Sequence, residues 1–280
     1  MKQVILRAFG AMLLIVVMVG LIYGLELADR PQYDPNLNIA FVGTNDDADC
    51  IVLWQADFAM MIDTGEAVDA DTILFFLEEN EITDLDYLVL THPDKDHIGS
   101  ATDVIRALKV SAVIQPYYQK ENDRNKFLQA RLNQSRVKVV VPTRVLHYTV
   151  NDINIYIYPP LEKNYKEDNN YSLAVYIQHK DVSMLFPGDA QSKRLSELMQ
   201  TDWGTVDLYK LPHHGRYNDR SVELFNLLSP TYTVVTAKEP SPELLEAGNT
   251  LGTQWFTTVG QTVLFYSDGQ SIQWVDTRAI

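Results

Sequence analysis

One stretch constrains this chain more than any other: Thr91-His92-Pro93-Asp94-Lys95-Asp96-His97-Ile98-Gly99, placed directly after the apolar run Tyr87–Thr91. Two His and two Asp fall within six positions. A regular strand would send alternate side chains to opposite faces, whereas a turn between a strand and a helix lets them converge. Imidazole and carboxylate are ligand types that suit zinc, and the enrichment in oxygen also admits manganese or iron. A lone His in a polar loop would read as a solvated turn. Four donors in this frame read as a metal site, so the fold has to gather further donors at the same strand end.

Three shorter segments offer them. Leu211-Pro212-His213-His214-Gly215 follows the strand-like Val206–Leu211, Phe186-Pro187-Gly188-Asp189-Ala190 follows another apolar run, and Met61-Ile62-Asp63-Thr64-Gly65 ends a third. Taken singly, each would be a turn or a helix cap; their shared placement at strand ends sets them together. Adjacent His point in different directions, so one of the pair reaches a metal while the other serves as proton donor or phosphate contact. Either His213 or His214 can be that ligand. Cys50 is alone, which excludes a disulfide framework, a Cys-rich zinc site and a CxxC redox pair. His147 and His179 lack acidic neighbours at metal spacing and read as surface or packing residues.

At the N-terminus, Lys2 and Arg7 precede an uncharged run from Ala8 to Leu25. As a helix it would span about 27 Å, enough for a bilayer core. The expected organisation is a signal anchor over 1–28, a linker over 29–37 and one domain over 38–280. A cleaved signal peptide is the alternative, although Glu26-Leu27-Ala28-Asp29 has no clean small-x-small site. Positive charge before the helix places the domain outside the cytoplasm. The expectation is therefore a single-pass cell-membrane protein, or a secreted one if the signal is removed. With 23 basic against 37 acidic residues the net charge is −14, which argues against a dedicated nucleic-acid binder. Nucleic acid held as a substrate through a metal ion stays open. Strand signals at Asn38–Gly43, Cys50–Gln55, Phe58–Ile62, Ile153–Tyr158 and Val182–Phe186 alternate with helical ones at Asp69–Glu79, Ala101–Leu108, Lys120–Gln134, Ser192–Met199 and Ser221–Leu228. Their distribution over both halves predicts an α/β fold of two sheets between helix layers.

The order Asp63-Thr64-Gly65, His92-x-Asp94-x-Asp96-His97, Gly188-Asp189 and His213-His214-Gly215 resembles the metallo-β-lactamase superfamily. Asp94, Asn169-Asn170-Tyr171-Ser172-Leu173 and Lys210–Gly215 are similar to the extracellular hydrolase domain of ComEC-type DNA-uptake competence proteins, over about residues 36–276. The resemblance implies an αββα sandwich, here preceded by a transmembrane anchor, with one or two divalent ions, Zn or Mn, at one edge. His92 and Asp94 would hold one ion, Asp96 and His97 the second, with His213 added and Asp189 bridging. Asp63 would orient the site from behind. Asp96, His213 and His214 are the candidate catalytic residues. Asn170 and Ser172 are candidate substrate contacts, a hairpin entry rich in turn formers being the plainer reading.

Three departures from the family pattern stand out. Asp94 replaces the usual second His, which hardens the site toward manganese or magnesium. Asn169 or Asn170 replaces the usual third His, and Thr236–Pro242 carries no His at all. No Ser-His-Asp arrangement is evident. The expected function is an extracytoplasmic, membrane-anchored hydrolase of phosphoesters, phosphodiesterase- or nuclease-like, with no obligate protein partner. The alternatives are a lactonase, a β-lactamase-like or cell-wall phosphoester hydrolase, and a degenerate, non-catalytic binding or scaffold protein.

Overall fold

A computed structural model describes residues 36–276. The segment read as a membrane anchor lies outside the described residues, as does most of the linker. Among the described residues no helix is long and apolar enough to cross a membrane.

Short apolar runs broken by turn residues make the first three strands, β1 (Leu37–Phe41), β2 (Ile51–Gln55) and β3 (Phe58–Ile62), paired antiparallel. Beyond β3 the sheet grows in parallel through β4 (Asp84–Val89), β5 (Lys109–Ile114) and β6 (Lys138–Val140). Parallel neighbours need a long crossover. Three of these crossovers are helical: α1 (Ala70–Glu79) before β4, the short α2 (Lys95–Ile98) with α3 (Ala101–Ala107) before β5, and α4 (Asp123–Ser135) before β6.

The second sheet starts as an antiparallel meander, β7 (Leu146–Val150), β8 (Ile153–Tyr158), β9 (Ala174–His179) and β10 (Val182–Phe186). It continues in parallel through β11 (Leu208–Lys210), β12 (Tyr232–Val235) and β13 (Gln254–Thr257), joined by α5 (Ser192–Leu198), α6 (Ser221–Leu228) and α7 (Pro242–Leu251). The chain then returns to the first sheet as β14 (Val263–Ser267) and β15 (Ile272–Val275), giving strand orders 15-14-1-2-3-4-5-6 and 13-12-11-10-9-8-7.

Three apolar layers hold this αββα sandwich. Between the sheets, Ile39, Leu53 and Met60 meet Ile155, Val175 and Met184. The alternation in β8 produces that face, since Ile153, Ile155 and Ile157 are buried while Asn154, Tyr156 and Tyr158 are only partly so. On one outer side Ile73, Leu77, Val104 and Leu128 cover Val52, Met61 and Leu88; on the other Leu195, Leu224, Phe225 and Leu244 cover Leu185, Tyr209 and Val235.

Helix α7 departs from the sequence expectation, which placed no element between 236 and 252. Its start signals are present, Ser241 at the N-cap and Pro242 in the first turn, and Gly252 closes it at φ 76°. What hides it is Gly248 in its interior. That glycine is needed there because a Cβ would come within 2.1 Å of Trp255 Cζ2. The topology puts the C-terminal ends of β3, β4, β10, β11 and β12 at a common edge, and the site is built there.

Candidate metal centre

Each of those strand ends delivers side chains to the site, and the segment after β4 delivers several. Asp63, just past β3, is fully buried and sits at φ 57°, a left-handed conformation that Asp adopts more readily than most residues. Its Oδ1 accepts the Thr91 N–H (2.7 Å) and its Oδ2 the Thr91 hydroxyl (2.6 Å) and His97 Nδ1–H (2.7 Å). With its Nδ1 proton committed in this way, His97 turns Nε2 toward Asp189 Oδ1, 3.2 Å away. His214 is held similarly, Nδ1 lying 3.0 Å from Thr236 Oγ1 and 3.4 Å from Asp49 Oδ1. Its Nε2 is 3.2 Å from both Asp96 Oδ2 and Asp189 Oδ2. His92 Nε2 stands further off, 3.9 Å from Asp94 Oδ2 and from Asp189 Oδ2.

Asp189 is thus the hub. The turn that presents it passes through Gly188 at φ 59°, where a Cβ would fall 2.9 Å from Thr91 Cβ and Oγ1. The Asp189 N–H donates to Ser172 Oγ (3.2 Å).

Donor chemistry identifies what this cluster fits. Of the eight buried side-chain polar atoms that lack a hydrogen-bond partner among the described residues, five are here: His92 Nε2, His97 Nε2, His214 Nε2, Asp189 Oδ1 and Asp49 Oδ1. Native interiors rarely leave such atoms unpaired. Asp96, His97, Asp189 and His214 each bring one ligand atom within 4.8 Å of the others. Three imidazoles and facing carboxylates are a donor set for a divalent ion.

The electrostatics agree. Burial works against charge on His97, yet Asp189, Asp63 and Asp49 hold its pKa well above the ordinary imidazole value. His214 is raised in the same way, burial being overcome by Asp189, Asp49 and Asp96. Burial, with His97 beside it, lowers His92 to about 4. Asp189 lies well below the usual carboxylate range despite its burial, because His214, His97 and Lys210 surround it. A divalent ion binds imidazole in its deprotonated form, so loading of this cluster should strengthen as pH rises.

The His213–His214 pair is oriented opposite to the sequence expectation. Both residues are left-handed (φ 50°, ψ 46° and φ 53°, ψ 27°), a conformation that costs on the order of 1–3 kcal/mol for each residue. This double turn sends His214 inward and leaves His213 half-buried at the rim. There His213 Nδ1 is 3.4 Å from Gln191 Nε2 and from Asn218 Nδ2, and its Nε2 is 3.4 Å from Arg216 Nη1. It is His214, not His213, that joins the donor cluster. Asn170 and Ser172 are buried and serve protein groups: Asn170 Oδ1 accepts the Arg194 N–H (3.0 Å), and Ser172 supports the Asp189 turn.

Two site residues have no role assigned from the sequence. Lys210, fully buried, pairs with Asp49 and reaches Gly188 O (3.2 Å) and Asp189 Oδ1 (3.5 Å). Asp49 could have been found. It lies two residues before Ile51, which pairs with Ile62 across the β2–β3 hairpin, so it shares an edge with Asp63. Lys210 shows in sequence as a cation in an otherwise apolar strand and as the first residue of the Lys210–Gly215 segment, neither of which states its role.

Replacing Asp63 by Asn should remove the charge that orients His97. Metal affinity is expected to fall by about 10–100-fold with the circular dichroism spectrum unchanged. Titration of Mn²⁺ into both forms checks this, and an unchanged affinity would remove Asp63 from the site.

The family model described as the metallo-beta-lactamase superfamily matches residues 43–235. ComE operon protein 3 of Bacillus subtilis is 27% identical over 165 residues, 58% of this chain and 21% of that protein. Recombination protein 2 of Haemophilus influenzae is 23% identical over 170 residues, 61% of this chain and 20% of that protein. The chain thus spans about a fifth of the length of these curated relatives. Among solved structures, the metallo-beta-lactamase fold protein YhfI of Bacillus subtilis has a TM-score of 0.57 at 12% identity, covering 83% of this chain and 100% of that one. CmlA of Streptomyces venezuelae, a diiron beta-hydroxylase, has a TM-score of 0.54 at 13% identity over 88% of this chain and 55% of that one. Likeness at these identities is likeness of fold.

Proposed function

This chain belongs to the metallo-β-lactamase superfamily of hydrolases, and on that premise we propose that it cleaves phosphodiester bonds, as a phosphodiesterase or nuclease does, using one or two divalent ions. The observation that carries this reading is the donor set. Asp94, Asp96 and Asp189 stand beside His92, His97 and His214, and such an oxygen-rich set favours manganese or magnesium, the usual companions of phosphate oxygens. Ions bound there would polarise a phosphoryl oxygen and offset the charge that develops on it.

The protein's own residues do the remaining work. Asp63 and Thr91 fix His97, while Thr236 and Asp49 fix His214, so both imidazoles present Nε2 without reorganising. Lys210 neutralises Asp49 and steadies Asp189 from behind. His213, its pKa lowered by burial, sits at the rim beside Arg216 and Asn218, where it would contact a phosphate oxygen.

A panel run on the purified chain tests the reading: bis(p-nitrophenyl) phosphate, a single-stranded oligonucleotide, a lactone and a β-lactam, each with Mn²⁺ or Zn²⁺. Turnover of the phosphodiesters with Mn²⁺ is expected. Turnover of only the lactone or the β-lactam would replace the substrate class, and a chain that holds no metal and cleaves nothing would be a scaffold.

The same proposal locates the domain outside the cytoplasm, anchored through Ala8–Leu25, because Lys2 and Arg7 precede that run. External protease on intact cells should then digest the domain, while the cell-bound chain keeps its original N-terminus. A freely released form beginning near residue 30 would mean secretion after cleavage instead.

A further inference from the structure

Two halves of the donor set are built differently. Asp96, His97, Asp189 and His214 form one tight group, with three nitrogen–oxygen separations of 3.2 Å. His92 stands 3.9 Å from its nearest carboxylates, and Asn170, one of the two residues in line to complete its side, has given its oxygen to the Arg194 backbone. A cation is already seated there. Lys120 Nζ bonds Asp94 Oδ1 at 2.7 Å and reaches Asp168 Oδ2 at 3.3 Å.

The placement of Lys120 is built rather than incidental. Its carbonyl accepts the Asn122 N–H (2.9 Å) and Asn125 Nδ2–H (3.1 Å), so both flanks of the loop before α4 are tied down. Two residues upstream, Tyr118 stacks on Tyr171 with ring centroids 4.1 Å apart and 9° between planes. Tyr171 closes the same helical turn, Asp168–Tyr171, that supplies Asp168. Both ends of the Lys120 bridge are therefore fixed relative to each other.

We propose that Lys120 sets the order of metal loading: the Asp96–His97–Asp189–His214 group takes an ion first, and the His92–Asp94 position takes one weakly, in competition with the Lys120 ammonium. This inference rests on the metal-site reading above. An ammonium on one oxygen of Asp94 draws off carboxylate charge and repels a second cation at the other oxygen. A half-exposed pair of this kind is worth little in stability, so Lys120 can be displaced at high metal concentration. The consequence is a site whose second ion comes and goes with metal supply.

Calorimetric titration of Mn²⁺ into the metal-free full chain tests this without reference to activity. Two steps separated by about tenfold or more are expected in the wild type. Lys120→Gln should tighten the second step by about five- to tenfold and leave the first unmoved. Lys120→Arg, which keeps the charge, should resemble the wild type, and Asp94→Asn should abolish only the second step. Two ions bound with one common affinity in the wild type would overturn the proposal. So would a second step that Lys120→Gln leaves in place. A chain that binds no Mn²⁺ at all would overturn the metal-site reading itself, and this inference with it.

Discussion

Asp189→Ala should reduce phosphodiester hydrolysis by about 10³-fold or more, the effect of several kcal/mol of lost charge stabilisation. No other side chain touches as much of the site. Its two oxygens lie 3.2 Å from His97 Nε2, 3.2 Å from His214 Nε2, 3.9 Å from His92 Nε2 and 3.5 Å from Lys210 Nζ. Without it the imidazoles lose their common carboxylate and the remaining donors no longer enclose a point. The fold should survive, because Lys210 keeps Asp49 as its partner and the three apolar layers are untouched. Initial rates on bis(p-nitrophenyl) phosphate across a Mn²⁺ series, with bound metal counted by elemental analysis, check the expectation. A rate within tenfold of wild type would show that Asp189 is not the hub.

The second large effect separates the two adjacent His. His214→Ala is expected to lower activity by about 10²–10³-fold together with bound metal, because its Nε2 faces Asp96 and Asp189. His213→Ala should cost about tenfold and leave bound metal in place, since its ring contacts Gln191, Arg216 and Asn218 instead. With His213 as the ligand the ranking would be the reverse. Equal metal loss in the two variants would contradict the orientation of the turn.

Much of the fold is legible in the sequence, and the exceptions have physical causes. Strands β3, β8 and β10 and helix α6 agree with expectation at both ends, because an unbroken apolar run, a clean alternation or an amphipathic face marks each. Strand β4 starts at Asp84 rather than Tyr87, its extra residues being the buried Leu85 between two Asp, of which Asp86 accepts the Ala59 N–H. The cluster from His92 to His97 was visible because its donors are neighbours in the chain. The roles of Asp49 and Lys210 carry no such mark, because their ion pair joins segments that only the folded topology brings together. The His pair shows a third kind of limit. Spacing establishes that the rings diverge, but which one faces inward depends on two left-handed residues in succession, and nothing in Pro212-His213-His214-Gly215 announces them.

Anomalous diffraction from crystals equilibrated with MnCl₂ tests the metal centre most directly. The strongest Mn peak is expected at about 2.0–2.3 Å from Asp96, His97, Asp189 and His214, with a weaker one, if any, beside His92 and Asp94. A principal peak on His213, or one that leaves out Asp189, would contradict the site described.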